Sequence, residues 1–280
     1  MTVGRISNPP ARDEIPRYKP MITSSHNPKL KQIRALAGRP KERREVGLFL
    51  AEGVRLIEDA HAANWPFAYV LFSAETSNRG RKLVERLNAE GVEVEEVLPD
   101  IFRSASETET SQGVIAVLKL PDSRIPTPDS LTFILIPDQI RDPGNLGTLI
   151  RTAAAAGVEA VLIPPETTDP WAPKAVRAGM GAHFRLTVQS CQWREIQTLL
   201  TGFNVFLADA EGQVSCWGAD FKSKTALIVG GEAEGASQPA RELANVFVNI
   251  PMPGKIESLN AGVAGAVLMF EVVRQRNEAL

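Results

Sequence analysis

The chain has 280 residues, 44% hydrophobic and 23% charged, with a formal net charge of −2. Those values suit one large or two ordinary globular domains and exclude a polycation, so any contact with nucleic acid must rest on a local patch. Two lone cysteines, Cys191 and Cys216, and three scattered histidines, His26, His61 and His183, have neither metal-ligand nor disulfide-scaffold spacing. No apolar run reaches the ~18 residues of a membrane span, and the N-terminus is polar and proline-rich rather than signal-like, so a cytoplasmic protein without a metal is expected.

In chain order, residues 1–20 hold Pro9, Pro10, Pro16 and Pro20 among polar residues and read as a flexible extension. Ser25 or Asn27 is placed to cap a helix running through Leu36. Residues 44–52 include the apolar piece Leu48-Phe49-Leu50. Residues 54–63 and 79–90 read as helices, the second ended by Gly91, while 68–72, 92–97 and 113–118 read as strands. This alternation predicts an α/β sandwich over about 21–120.

Residues 121–130 carry three prolines among small polar residues, which forbids a helix and suits a linker. Beyond it, strands are predicted at 132–136, 160–163, 205–208, 226–229 and 246–249, with helices between them and a long helix over about 258–277. Strands alternating with helices predict a parallel sheet covered on both faces, with ligands at the loops past the strands' C-terminal ends. The second domain would span 131–280.

Four stretches bear chemistry. Between residues 29 and 44 the chain has Lys29, Lys31, Arg34, Arg39, Lys41, Arg43 and Arg44 against Glu42, seven positive charges and one negative. That run is either a solvated helix face with its loop or a patch that contacts phosphates. The second stretch, D-Q-I-R-D-P-G-N-L-G-T-L-I-R-T-A at residues 138–153, leaves a strand through a glycine-rich turn. Gly144 and Gly147 let backbone approach a ligand or another segment, and Asn145 suits a helix N-cap. Arg151 lies six residues on, roughly 9 Å along the axis, among Leu149, Ile150 and Ala153–Ala156. An apolar helix of that kind predicts a buried guanidinium, held by a structural ion pair or kept for a phosphate or hydroxyl.

In the third stretch, L-I-V-G-G-E-A-E-G at residues 227–235, a strand runs into a glycine turn carrying Glu232 and Glu234. The carboxylates argue against a phosphate cradle. They are compatible with S-adenosylmethionine, which has no phosphate and bears a sulfonium cation; a solvated turn is the plainer alternative. The fourth, I-P-M-P-G-K-I-E-S-L-N-A-G-V-A-G-A at residues 250–266, makes an irregular loop, with Ser258 placed to cap the following helix. The small residues Ala261, Gly262, Ala264, Gly265 and Ala266 permit close backbone packing, as in a helix–helix or dimer contact. Lys255, Ser258 and Asn260 are left as polar groups where ligands bind.

Together these stretches resemble the SpoU/TrmH family of RNA 2′-O-ribose methyltransferases within the SPOUT superfamily. Its first motif, D-P-x-N-x-G-x-x-x-R-T-A, is matched by Asp142, Pro143, Asn145, Gly147, Arg151, Thr152 and Ala153. Its second, G-x-E-x-x-G, is matched by Gly230, Glu232 and Gly235, although Gly231 stands where many members carry a polar residue. Its third, I-P-M-x-G-x-x-x-S-L-N, is matched by Ile250, Pro251, Met252, Gly254, Ser258, Leu259 and Asn260. The N-terminal half resembles the family's ribosomal-protein-like substrate-binding domain through S-x-x-N-P-K-L-K, F-L-A-E-G-V-R-L-I-E and S-Q-G-V-I-A-V, so the likeness covers about residues 21–278.

The resemblance implies an N-terminal ribosomal-protein-like α/β sandwich, a C-terminal knotted parallel-sheet domain, a homodimer, and methyl transfer from S-adenosylmethionine to a ribose 2′-hydroxyl, with ribosomal RNA favoured. A tRNA 2′-O- or base methyltransferase and a non-catalytic RNA-binding protein are the alternatives. By the same resemblance Arg151 acts on the hydroxyl, Asn145 orients Arg151 or the ribose, Glu232 pairs with Arg151, and Ser258 and Asn260 hold substrate or motif-one side chains. Gly230, Ile250, Met252 and Leu259 then line the cofactor pocket, and Lys29, Lys31, Arg34, Arg39, Lys41, Arg43 and Arg44 face RNA.

Overall fold

A computed structural model describes residues 19–108, 110–121, 131–231, 235–254 and 256–277. The first part builds β1 (Lys19–Ile22), α1 (Pro28–Gly38), α2 (Pro40–Val46), β2 (Leu48–Glu52), α3 (Val54–Ala62), β3 (Phe67–Ser73), α4 (Asn78–Ala89), β4 (Val94–Val97), α5 (Pro99–Arg103) and β5 (Val114–Lys119). Asn27, not Ser25, caps α1: its side chain accepts from the Lys29 amide at 2.9 Å, and Pro28 fills the first helical position, where a missing N–H costs nothing. The mixed five-stranded sheet has the order β1-β4-β3-β5-β2. One face packs Leu30, Ile33 and Leu36 of α1 and Phe102 of α5; the other packs α3 and α4. The predicted extension over 1–20 needs correcting at its end, because Lys19 and Pro20 already belong to β1, which pairs in parallel with β4. Residues 1–18, and 122–130 of the predicted linker, lie outside the described residues.

The second part builds β6 (Phe133–Pro137), α6 (Pro143–Ala155), β7 (Ala160–Ile163), α7 (Pro173–Gly179), β8 (Thr187–Ser190), α8 (Trp193–Leu199), β9 (Asn204–Ala208), β10 (Val214–Ser215), β11 (Thr225–Val229), α9 (Gln238–Leu243), β12 (Val246–Asn249) and α10 (Ala261–Asn277). The seven strands pair in parallel throughout, in the order β10-β12-β9-β11-β6-β7-β8. Side chains alternate across a strand. Phe133 and Leu135 of β6 therefore enter the core under α6 and α10, while Ile134 and Ile136 enter the core under α8 and α9. From β6 the chain steps to β7 and β8 on one side, then crosses to β9 and β11 on the other. The strand order thus reverses beside β6, which opens a crevice past the C-terminal ends of β6 and β11.

The two sheets share one continuous core. Phe49 of β2 meets Trp171 with ring centroids 4.6 Å apart, and Trp65 meets Phe184 at 5.2 Å. Arg43 of α2 pairs with Asp169 at 2.7 Å across the same seam, and α7 packs on β2. The small-residue stripe of α10 is an internal helix contact: a Cβ on Gly265 would run into Leu149 of α6, and Gly262 faces Thr148.

Candidate active site

The turn after β6 is held by its acidic residue. Asp142, not Asn145, is the N-cap of α6; its Oδ1 accepts from the Asn145 amide at 2.9 Å and its Oδ2 takes Lys174 Nζ at 2.6 Å. The Lys174 bond first, then the Asn145 amide, holds the Asp142 carboxyl below the usual carboxylate range. Gly147 serves close packing against another segment, because a Cβ there would lie 2.6 Å from the Ala178 Cβ of α7.

Asn145 is the third residue of α6, and its side chain turns toward the third motif. Its Oδ1 accepts from Asn260 Nδ2 at 3.0 Å. Asn260, rather than Ser258, precedes and caps α10: its Oδ1 accepts from the Val263 amide at 3.3 Å, and its carbonyl takes the Ala264 amide at 2.9 Å. The cap fixes the carboxamide. Its oxygen faces the helix, so its NH2 faces Asn145 beside the crevice.

Arg151 is not buried. It lies on the exposed side of α6 with Thr148 and Ala155, while Leu146, Leu149, Ile150 and Ala153 face the core. Among the described residues its guanidinium has no partner. The expectation of a buried charge therefore fails: an apolar helix has a solvent side, and Arg151 is on it. Glu232, its expected partner, lies outside the described residues with Glu234 and Lys255.

Beside the Asn145–Asn260 bond lies a cavity of about 270 Å³. Gly230, Ile250, Met252 and Leu259, the four residues expected at the cofactor, all line it, and so does Ser258. Val229, Val248 and Ala264 add apolar wall. Sequence reasoning missed two charged residues of that wall, Asp209 and Arg241, although Asp209 directly follows a predicted strand. It also missed Asp138, fully buried at the end of β6. Asp138 Oδ2 accepts from the Ser237 amide at 2.6 Å and so ties β6 to the loop after β11. Burial pushes the Asp138 carboxyl up, against the pull of Ser237.

The basic run divides. Lys29 sits between Glu93 and Glu95, at 3.0 Å from each, over the Tyr69 ring. Arg43 is 2% exposed. Besides Asp169 it bonds the Leu36 carbonyl and, at 3.1 Å, the Ala37 carbonyl, so it satisfies the C-terminal end of α1. These two are structural, contrary to expectation. Lys31, Arg34 and Arg39 line one surface hollow, with Arg34 also bonded to the Ser25 carbonyl and Ser104 Oγ. Arg44 is exposed, and Lys41, also exposed, makes only a loose 3.6 Å pair with Glu45.

Comparison with known proteins gives two family models. Residues 132–270 match the SpoU rRNA Methylase family, and residues 27–116 match the MRM3-like substrate binding domain. The chain is 33% identical to an uncharacterized tRNA/rRNA methyltransferase of Synechocystis sp., over 91% of this chain and 94% of that one. It is 31% identical to the 23S rRNA (guanosine(2553)-2'-O)-methyltransferase RlmP of Bacillus subtilis, over 90% and 98%. The crystal structure of the SpoU methyltransferase AviRb from Streptomyces viridochromogenes in complex with AdoMet superposes with a TM-score of 0.81 at 30% identity, covering 90% of this chain and 98% of that one.

Proposed function

Because this chain belongs to the SpoU rRNA methylase family, we propose that it transfers a methyl group from S-adenosylmethionine to a ribose 2′-hydroxyl of ribosomal RNA. The observation that carries this reading is the Asn145–Asn260 bond, which joins the first and third motifs at the rim of the cavity. The cavity fits the cofactor. Its wall is apolar and glycine-rich, and its one guanidinium among the described residues is already paired with a carboxylate, so it is not built for a phosphate.

Gly230, Ile250, Met252 and Leu259 would hold S-adenosylmethionine, which supplies an electrophilic methyl when bound. The ribose oxygen bonds the methyl carbon as the carbon–sulfur bond breaks, and the hydroxyl proton leaves. Arginine, with a pKa above ~12, is a poor proton acceptor. Arg151 is instead assigned to the ribose and its phosphate, where it stabilises developing alkoxide charge and lets the proton pass to water. Asn145 orients Arg151 or the ribose, Asn260 holds Asn145, Ser258 contacts substrate, and Glu232 completes the second motif. Positioning supplies much of the rate.

Residues 21–120 are the part that holds RNA, with phosphates on Lys31, Arg34, Arg39, Lys41 and Arg44; 121–130 link it to a catalytic part at 131–280. The C-terminal segment is read as threaded. In support, β12 enters between β9 and β10, both laid down earlier in the chain, and α10 then returns against α6 and β11. Val263, Val267 and Phe270 form an exposed stripe on α10, 48%, 38% and 49% accessible, which a second copy would cover in a homodimer. Among the described residues no helix is long and apolar enough to cross a membrane, and the reaction is assigned to the cytoplasm.

The test is transfer of labelled methyl from S-adenosylmethionine to unmodified ribosomal RNA, followed by alkaline hydrolysis. Label in alkali-resistant dinucleotides is expected. Label in ordinary mononucleotides would mean base methylation, and no label with cofactor bound would mean a binding protein.

A further inference from the structure

The cavity wall carries one charged pair whose purpose the methyl transfer leaves open. Asp209 stands at the C-terminal end of β9, and Arg241 reaches it from α9 with Nη1 3.0 Å from Oδ2. Asp209 Oδ1 accepts from the Glu211 amide at 2.9 Å, so the carboxylate is fixed from two sides. The side chain is only 16% exposed. Among the described residues that line the cavity, no other is ionisable.

Resting on the function proposed above, we infer that Asp209 reads the ribose of the cofactor: its carboxylate accepts the 2′- and 3′-hydroxyls of the adenosyl group, and Arg241 holds it in place. Position is the first argument. β6, β11 and β9 are successive neighbours in the sheet, and neighbouring strands lie about 4.8 Å apart. Asp209 is thus two strands, roughly 10 Å, from the strand that leads to Asn145, where the methyl must be delivered. A group that far along the cavity meets the nucleoside end of the cofactor, not its sulfonium.

Chemistry is the second argument. A carboxylate only accepts, and two adjacent hydroxyls are the donors on a nucleoside that match its two oxygens. An acidic residue past a strand end reads ribose hydroxyls in the same way in dinucleotide folds. The pair with Arg241 is neutral as a unit, so Asp209 acts by hydrogen bonding and not by answering the sulfonium charge. Val229, Val248 and Ile250 leave an apolar wall for the adenine beside it.

The experiment is calorimetric titration of the full chain with S-adenosylhomocysteine, with its 2′-deoxy and 3′-deoxy analogues, and with 5′-methylthioadenosine. Asp209→Ala is the deletion. Asp209→Asn keeps the acceptor for the Glu211 amide and preserves the local turn if the alanine variant fails to fold. Both variants are expected to bind S-adenosylhomocysteine about tenfold or more weakly, the range for a hydrogen bond to a charged group. The wild type should lose as much with the deoxy analogues, and the variants should lose little more there. The loss should persist with methylthioadenosine, which keeps the diol and lacks the amino-acid tail. Equal losses with diol and deoxy ligands, or a loss that vanishes with methylthioadenosine, would overturn the assignment. Failure of the wild type to bind any of the four would overturn the functional reading, and this assignment with it.

Discussion

Asn260 donates to Asn145 across 115 residues of chain, at 3.0 Å, while its other carboxamide atom caps α10. One side chain therefore both starts a helix and orients the residue proposed to face the ribose. Asn260→Asp separates the two tasks. Aspartate caps as well as asparagine but cannot donate to Asn145 Oδ1 when ionised. The melting temperature should stay near that of the wild type, and kcat should fall about 10–100-fold, equivalent to roughly 1.4–2.7 kcal/mol. Unchanged turnover would show that the bond does not position Asn145.

Arg151 is exposed on α6, so its removal should leave the fold intact. Exposed substitutions stay within about 0.5 kcal/mol in stability. Arg151→Ala should lower kcat on the order of 10²–10³-fold, as for loss of one group that stabilises developing charge. Arg151→Lys should recover part of it, because the charge remains and the planar fork does not. Single-turnover methyl transfer checks both variants, and wild-type rates for Arg151→Ala would remove Arg151 from the chemistry.

Two arginines four residues apart should behave in opposite ways. Arg43→Ala breaks the buried pair with Asp169 and exposes the carbonyl end of α1, so it should cost about 3–5 kcal/mol in urea unfolding. Arg39→Ala should leave stability unchanged, weaken RNA binding, and reduce the slope of log K against log salt by about 1. Equal effects on stability would contradict this division of the basic run.

That division shows what the sequence could and could not reveal. Most strands, the parallel sheet and the three loops of the site follow from local signals: apolar runs such as 133–136, glycine at strand ends, and motif spacing; the short edge strands β1, β8 and β10 were not expected. All four residues expected at the cofactor line the cavity: Gly230, Ile250 and Met252 stand just past strand ends, where the fold class puts ligands, and Leu259 joins them from the loop before α10. Burial at single positions was not legible. Lys29 and Arg43 look alike in a basic run, and only Glu93, Glu95 and Asp169, 64 to 126 residues distant, make them internal. Arg151 was misjudged for the converse reason: its apolar neighbours fill the other side of the helix. The seam of Phe49, Trp65, Trp171 and Phe184 likewise depends on long-range contacts with no local pattern.

The exposed stripe on α10 predicts the assembly. Phe270→Glu places a charge on the surface proposed to meet a second copy, on a residue 49% exposed in the single chain. Its unfolding midpoint at low protein concentration should match the wild type's, while light scattering should report a monomer. A wild-type chain that is itself monomeric at micromolar concentration would refute the homodimer.

His183 predicts a pH dependence of stability that is independent of catalysis. It is fully buried beside Trp171; its Nε2 donates to the Pro170 carbonyl at 2.9 Å, and its Nδ1 has no partner among the described residues. Burial, opposed by the Pro170 bond and Asp169, pushes its pKa down from 6.5 to about 4. The unfolded chain therefore binds a proton that the folded chain refuses between those values. The contribution is fully present above pH ~6.5 and is lost as pH falls toward 4, a change on the order of 3 kcal/mol. In His183→Gln the side-chain amide can still donate to Pro170 and does not titrate. Urea unfolding between pH 7 and 4 should show a shallower fall for the variant than for the wild type. Parallel curves would mean that His183 is charged in the folded protein.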